Sequence, residues 1–287
     1  MTARRGGGGI AETKIVASSA PVGAADLGPG ATLTAIRESR PLIQVITNYV
    51  AMDLSANLLL AVGASPVMVR SAEEAAAIAS QADALSINIG TATDADIEVM
   101  VEAARAAVDG GHPWVLDPVG ITVTDFRREA ARRLSRLQPT AIRGNAAEIL
   151  ALGAGELGGG RGVESRIESA EALDAAQSLA KGTGSVVAVT GAVDYVTDGR
   201  RLVAVANGDP LMTRVTGLGC AQTALLAAAL AVCQDPLEAC AHALAILGVA
   251  GELAASEAKG PGSFRVNLLD QLFGLQPKDC DEQATIQ

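Results

Sequence analysis

Cysteine, histidine and aromatic rings are all scarce in this chain. Its four cysteines, Cys220, Cys233, Cys240 and Cys280, form no C-x-x-C pair, and the only histidines are His112 and His242. The usual thiolate and imidazole zinc clusters are therefore excluded. Nothing suggests a disulfide framework, so a reducing cytoplasm is the expected compartment. Basic charge is also short: the formal net charge is -10, whereas nucleic-acid binders carry a basic face. The longest basic cluster is Arg127, Arg128, Arg132, Arg133 and Arg136, whose helical spacing is that of a solvated helix face. No apolar run reaches the roughly 18 residues of a membrane span without a polar interruption. The opening MTARRGGGGIAETKIVASSA has an Arg pair but no compact apolar core, so it does not read as a signal peptide. Neither nucleic acid nor a membrane is an expected partner.

What the chain has is small apolar residues. Hydrophobic residues make up 49% and aromatics only 2%, so the core material is Ala, Val, Leu and Ile, which suits strands covered by closely packed helices. After residue 30 the pattern alternates. Strands are expected at 42–47, 67–69, 84–89, 114–117 and 140–143. Helices are expected at 50–62, 72–80, 94–108, 125–137 and 145–152. A further helix is expected at 170–181, followed by three short strands at 186–190, 194–197 and 201–206. Residues 219–258 read as helical with a break near Asp235–Pro236. Strand–helix repetition of this kind gives an α/β fold, a central mostly parallel sheet flanked by helices on both faces. We assign residues 30–275 to a single domain, residues 1–29 to a flexible N-terminal extension, and residues 276–287 to a frayed C-terminal tail. The glycine-rich stretch 153–162 reads as a surface loop, because no Lys follows at the spacing of a GxxxxGK[ST] phosphate loop.

In such sheets the ligand crevice lies beyond the carboxyl ends of the strands, and three segments supply polar residues there. In VTGLGCAQTALLAAALA, residues 215–231, a Gly-x-Gly turn opens into an apolar helix. The amides of Gly217, Leu218, Gly219 and Cys220 would be first-turn donors able to form an anion hole, with an ordinary glycine-rich helix start as the plainer reading. In Leu116–Asp117–Pro118–Val119 the Asp ends an apolar strand, where it either caps the loop or faces a metal or substrate. In Ile142–Arg143–Gly144–Asn145–Ala146–Ala147–Glu148, Asn145 and Glu148 have capping-box spacing. The other reading gives Glu148 to a phosphate–metal region and Arg143 to a phosphate.

The segments IQVITNYVAMDLSANLLLAVGASPVM, INIGT, WVLDPVG, AIRGNAAEILAL, AVTGAVDYVTDG and NGDPLMTRVTGLGCAQTALLAA together resemble the hydroxyethylthiazole kinase family. The resemblance spans about residues 40–265, and TN-x-V, GASP-x-M, IRGN-x-x-E and VTG-x-GC carry most of it. It implies a ribokinase-like layered fold and a homotrimer with sites between subunits. The implied reaction is transfer of phosphate from ATP, with Mg²⁺, to the primary alcohol of 4-methyl-5-(2-hydroxyethyl)thiazole in thiamine biosynthesis or salvage. By motif it implies substrate-site roles for Asn48, Val50, Met68 and Gly217, and ATP-site roles for Arg143 and Thr190. Asp117 and Glu148 become the acids that organise Mg²⁺. Cys220 is the catalytic candidate, standing where most ribokinase-like enzymes have an Asp base. At a helix N-terminus its thiol is expected to be lowered toward a thiolate. The family usually has Thr where this chain has Leu218, and the continuation after DPVG, Ile121–Thr124, departs from the family pattern. Other ribokinase-like activities (a pyrimidine or pyridoxal kinase, or an NAD(P)H-hydrate dehydratase) and a non-catalytic nucleotide-binding relative are the alternatives. Cys220 separates the family from the former.

Overall fold

The computed structural model describes residues 28–154 and 168–287. Most of the N-terminal extension and residues 155–162 of the glycine-rich stretch lie outside the described residues. Among the described residues the sheet has eight strands: β1 (Leu42–Ile46), β2 (Ser65–Val67), β3 (Ala84–Asn88), β4 (Trp114–Asp117), β5 (Ala141–Asn145), β6 (Val186–Thr190), β7 (Asp194–Thr197) and β8 (Leu202–Val205). Their order is β2-β1-β3-β4-β5-β6-β7-β8. β1 to β6 run parallel, and β7 and β8 add an antiparallel hairpin edge beside β6. The chain steps one way from β1 to β2 and the other way to β3. The carboxyl ends of β1 and β3 therefore flank a topological switch point, where α/β sheets form ligand crevices.

Eleven α-helices appear among the described residues: α1 (Pro29–Ser39), α2 (Met52–Val62), α3 (Ala75–Ala79), α4 (Asp94–Asp109), α5 (Asp125–Ser135), α6 (Ala146–Gly153), α7 (Leu173–Thr183), α8 (Leu218–Leu230), α9 (Pro236–Glu257), α10 (Pro261–Gly274) and α11 (Pro277–Gln283). Alternate residues of β1 and of β3 to β6 feed two separate cores. Val186 and Ala188 pack with α1, α2, α8, α9 and α10 on one face, and Val187 and Val189 pack with α4 to α7 on the other. Period-two alternation between two apolar faces is what a sheet covered on both sides requires. Each fully buried Leu, Ile or Val contributes about 1.5–3 kcal/mol.

The helix starts follow from local chemistry. Thr93, Thr124 and Asp235 accept first-turn amides of α4, α5 and α9, each satisfying an otherwise unpaired donor. α9 is long and apolar enough to cross a bilayer, but it is buried within the protein. The C-terminal tail differs from expectation. Residues 277–283 form α11 with Cys280 fully buried, and Ile286 bridges Val205 at the β8 edge. The unpaired edge of β8 supplies backbone partners that a polar sequence reading does not reveal. α1 and α10 were likewise not expected from the sequence.

Candidate active site

Four strand ends and the start of α8 carry a continuous polar network. Asn48, just past β1, donates from Nδ2 to Asn88 Oδ1 at 2.9 Å and to Cys220 Sγ at 3.3 Å. Its own Oδ1 accepts from the amides of Val50 and Ala51, so the TNYV turn is fixed by the residue that opens it. Asn88, which ends β3, donates to Asp117 Oδ2 at 2.8 Å. Thr223 of α8 donates to the same oxygen at 2.8 Å, and Arg143 Nη1 stands 3.8 Å from it. Arg143 in turn donates to Gln222 Oε1 at 2.9 Å.

Asp117 is fully buried, and its Oδ1 has no hydrogen-bond partner. Burial pushes its carboxyl up to about 7. The Arg143 guanidinium opposes the rise, Glu148 adds to it, and the bonds from Thr223 and Asn88 oppose it. A carboxylate held this way has an open lone pair and an ionisation cost that a cation would relieve. Glu148 is committed differently. Its Oε2 accepts the Asn145 amide and its Oε1 accepts the Gly120 amide, both at 2.9 Å, while Asn145 Oδ1 accepts the Glu148 amide. The capping box expected from spacing therefore exists, and Glu148 also pins the loop after β4. Each carboxylate oxygen keeps a second acceptor site. Among the described residues no group of three or more His, Cys, Asp or Glu converges.

The start of α8 is built on glycine. Gly217 has φ +80°, and a Cβ there would lie 3.2 Å from Ala51 Cα, so a side chain would be strained and crowded. Among the described residues the amides of Gly217, Gly219 and Cys220 have no acceptor, but that of Leu218 donates to Val215 O at 3.3 Å. Of the four amides expected from sequence to form an anion hole, that of Leu218 is thus used by the tight turn and three remain open. The Leu218 side chain packs into the core with 3% exposure. A Cβ on Gly219 would lie 2.9 Å from Arg143 Nη1, so the missing side chain is what lets the guanidinium approach the helix start.

Cys220 departs from the thiolate expectation. Burial pushes its thiol up to about 11, with the charge of Asp117 adding to the rise. The bonds from Asn48 and Asn88 and the charge of Arg143 do not outweigh those two effects, so the group is a neutral thiol near pH 7.

On one side of this helix start lies a cavity of about 710 Å³. Arg143, Thr190, Asp194, Leu218, Gly219 and Gln222 are among its lining residues. Thr190 ends β6 beside Asn145 of β5, and its hydroxyl points at Gly144 O, 3.4 Å away. Asp194 caps the Gly191 amide at 2.8 Å, and burial pushes its carboxyl up to about 6. On the other side lie Asn48, the exposed Tyr49 and Val50, and the half-buried Met68 that follows β2. The Val50 side chain and Met68 sit at the same sheet edge as the network but outside it, Val50 joining it only through its backbone amide. Sequence reasoning missed Asn88, Thr223, Gln222 and Asp194. INIGT and VDY contain two of them, and the four-residue step from Gly219 to Thr223 was the available signal for the third.

A family model described as "Hydroxyethylthiazole kinase family" matches residues 33–278. A hydroxyethylthiazole kinase of Cereibacter sphaeroides is 52% identical over 260 residues, covering 91% of this chain and 98% of its own. The solved structure of a hydroxyethylthiazole kinase from Pyrococcus horikoshii is 41% identical with a TM-score of 0.83, covering 90% of this chain and 98% of its own. A ribokinase-like superfamily protein from Enterococcus faecalis has a TM-score of 0.61 at 13% identity, over 91% of this chain and 93% of its own, a likeness of fold alone.

Proposed function

We infer the chemistry of this site from one premise: the chain belongs to the hydroxyethylthiazole kinase family. It is a ribokinase-like transferase, a kinase that phosphorylates the primary alcohol of 4-methyl-5-(2-hydroxyethyl)thiazole in thiamine biosynthesis. Our finer reading gives ATP to the 710 Å³ cavity and the thiazole to the Asn48–Met68 side. The observation that carries it is the start of α8. Gly219 borders the cavity and lies against Arg143, while the next residue, Cys220, is bonded to Asn48. A phosphoryl group passing from one side to the other crosses the three open amides.

Phosphoryl transfer asks a protein mainly for positioning and charge neutralisation. Three amides at a helix N-terminus and one guanidinium supply that from this chain. The remaining acids fit a hydrated Mg²⁺, which prefers one or two carboxylates and several waters. Asp117 offers the unpaired Oδ1, and Glu148 offers the spare acceptor capacity of its two bonded oxygens. When bound, the ion would neutralise charge on the transferring phosphate. Asn88 and Thr223 would orient Asp117 toward it. Cys220, as a neutral thiol, is read as lining and packing the reaction centre, with proton abstraction a lesser contribution. Tyr49 and Val50 are 66% and 58% exposed beside Asn48, which supports a thiazole pocket completed by a neighbouring subunit of a homotrimer. Sedimentation finding an active monomer at assay concentration would count against that.

The sides are tested by two variants read against both substrates. Arg143→Ala should raise KM for ATP about ten- to a hundredfold, the scale of a lost charge-assisted bond, and leave KM for the thiazole within a few fold. Asn48→Ala should do the reverse. Equal effects of each variant on both substrates would remove the assignment of sides.

A further inference from the structure

Part of the cavity wall is the segment Asn207–Thr213, and the phosphoryl-transfer reading leaves open what holds it. The chain leaves β8 at Val205 and turns at Gly208, whose φ of +136° is one that only glycine adopts freely. Two supports secure it. The first is α9. A Cβ on Gly248 would lie 2.5 Å from Asn207 Cβ, and one on Gly251 2.7 Å from Met212 Sδ, so these glycines form a seat for the segment. Glu252, the next residue, accepts from the Gly208 amide at 2.8 Å and from Asn207 Nδ2 at 3.2 Å.

The second support is the C-terminus. Ala204 and Gln287 exchange two backbone bonds, and the Ala206 amide donates to Thr285 O. Thr285 N then donates to Asn207 Oδ1 at 2.6 Å, and Asn207 Nδ2 donates to Gln283 O at 3.0 Å. Both ends of the Asn207 amide are thereby engaged, its oxygen by the tail and its nitrogen by the tail and α9. The tail is anchored at its other end by the buried Cys280 and by Asp281, which accepts the Gly30 amide at 2.7 Å. The family match ends at residue 278, so the tail half of this clamp lies beyond it, while Asn207 and Glu252 lie within it.

We propose that Thr285–Gln287, acting through Asn207, positions the wall of the nucleoside-triphosphate site, holding Asn207–Thr213 formed before the nucleotide arrives. The proposal rests on the reading of the cavity as the nucleotide side. With the clamp gone, ordering a glycine-containing segment becomes part of nucleotide binding and weakens it. The chemical step and the thiazole side are untouched, which makes Asn207 a positioning residue.

The sharpest probe is Thr285→Pro in the full chain. Proline removes the one N–H that Asn207 accepts, and the preceding Ala284 already has the φ of −65° and ψ of 132° that a following proline favours. Truncation after Ala284 and Asn207→Ala complete the set. Each should raise KM for ATP about five- to tenfold, the scale of one or two hydrogen bonds, with kcat and KM for the thiazole within about twofold. Combining Thr285→Pro with Asn207→Ala should add nothing to Asn207→Ala alone, because both act through one contact. Arg201→Ala breaks a surface clamp to Asp198 and Asp235 away from the cavity and should leave KM for ATP unchanged at a comparable loss of Tm. An unchanged KM for ATP in Thr285→Pro, a joint rise for both substrates, or additivity in the double variant overturns the proposal. If the truncated chain does not fold, Thr285→Pro decides. If Arg143→Ala also leaves KM for ATP unchanged, the nucleotide assignment itself fails. If Arg143→Ala raises it and the tail variants do not, only the clamp fails.

Discussion

Asp117→Asn exchanges a carboxylate for a neutral amide of nearly the same shape at a position without solvent contact. The asparagine oxygen can still accept from Asn88 and Thr223, the partners of Asp117 Oδ2. What changes is the charge. Burial holds the Asp117 carboxyl at about 7 against an ordinary value of 3.8, so the folded protein binds that proton more tightly than the unfolded chain does. Stability from this group is fully present below the unfolded value, is lost as the pH climbs from about 4 to about 7, and changes no further above that. The full loss is about 4 kcal/mol, at about 1.36 kcal/mol per unit. The variant cannot ionise and escapes it. Its stability relative to the unaltered protein should therefore improve by roughly 2–3 kcal/mol between about pH 5 and about pH 8, since titrations that do not couple to Asp117 are common to both chains and cancel. Urea denaturation at the two pH values, with equal m-values, measures it. Turnover should fall in the same variant, because the ionised form is what our reading gives to the metal. A difference between the two chains that stays constant with pH would refute the reasoning, for then Asp117 does not carry a raised ionisation in the folded state.

Cys220→Ala should keep turnover within about tenfold, below the roughly 10²–10⁴-fold range of general-base effects. Its pH–rate profile should match that of the unaltered enzyme from about pH 7 to 9, because a thiol at about 11 does not titrate there. A limb lost with the sulfur would restore the thiolate. Gly219→Ala puts a methyl 2.9 Å from Arg143 Nη1 and should raise KM for ATP about tenfold with the thiazole unaffected, in the direction of Arg143→Ala. Normal ATP kinetics would show that the guanidinium needs no such approach. Leu218→Thr gives the chain the residue that the resemblance implies at this position but removes a core side chain. A fall in stability of about 1–3 kcal/mol by denaturant titration is expected, and an unchanged midpoint would show the side chain is not packed.

Much of this site could be read from the sequence because it sits at strand ends and helix starts, where spacing has a direct physical meaning. Asp117 closes β4 as the apolar run predicts, and Asn145 and Glu148 form the capping box their spacing announces. Three strands, at 114–117, 186–190 and 194–197, have the expected bounds. What could not be read depends on partners remote in the chain. Cys220 looked like a candidate for a lowered thiol because its place at a helix start is local, while its burial and its proximity to Asp117 are not. The Leu218 amide is withdrawn by a turn to Val215 that the Gly-x-Gly pattern does not specify. Helix α1 begins at Gly28–Pro29 after a stretch of glycine and alanine, and α10 has no sharp apolar period. Both are held by tertiary packing more than by local preference.

Helix α8 is enclosed along almost its whole length, with Ala224, Leu225, Leu226, Ala227, Ala228 and Ala229 all fully buried. The donors at its first turn are therefore rigid before any ligand arrives, and no reorganisation is needed when charge develops over them. The same enclosure limits how the enzyme can be re-engineered. A larger side chain on the helix overpacks a core with no spare volume, at about 1–3 kcal/mol, and the resulting shift is delivered to the reaction centre. On our reading of the cavity, libraries aimed at a new phosphate donor belong instead on its rim, at Glu168, Ala170, Ala192 and Val193. There the lining can change shape while the helix that carries the chemistry stays where it is.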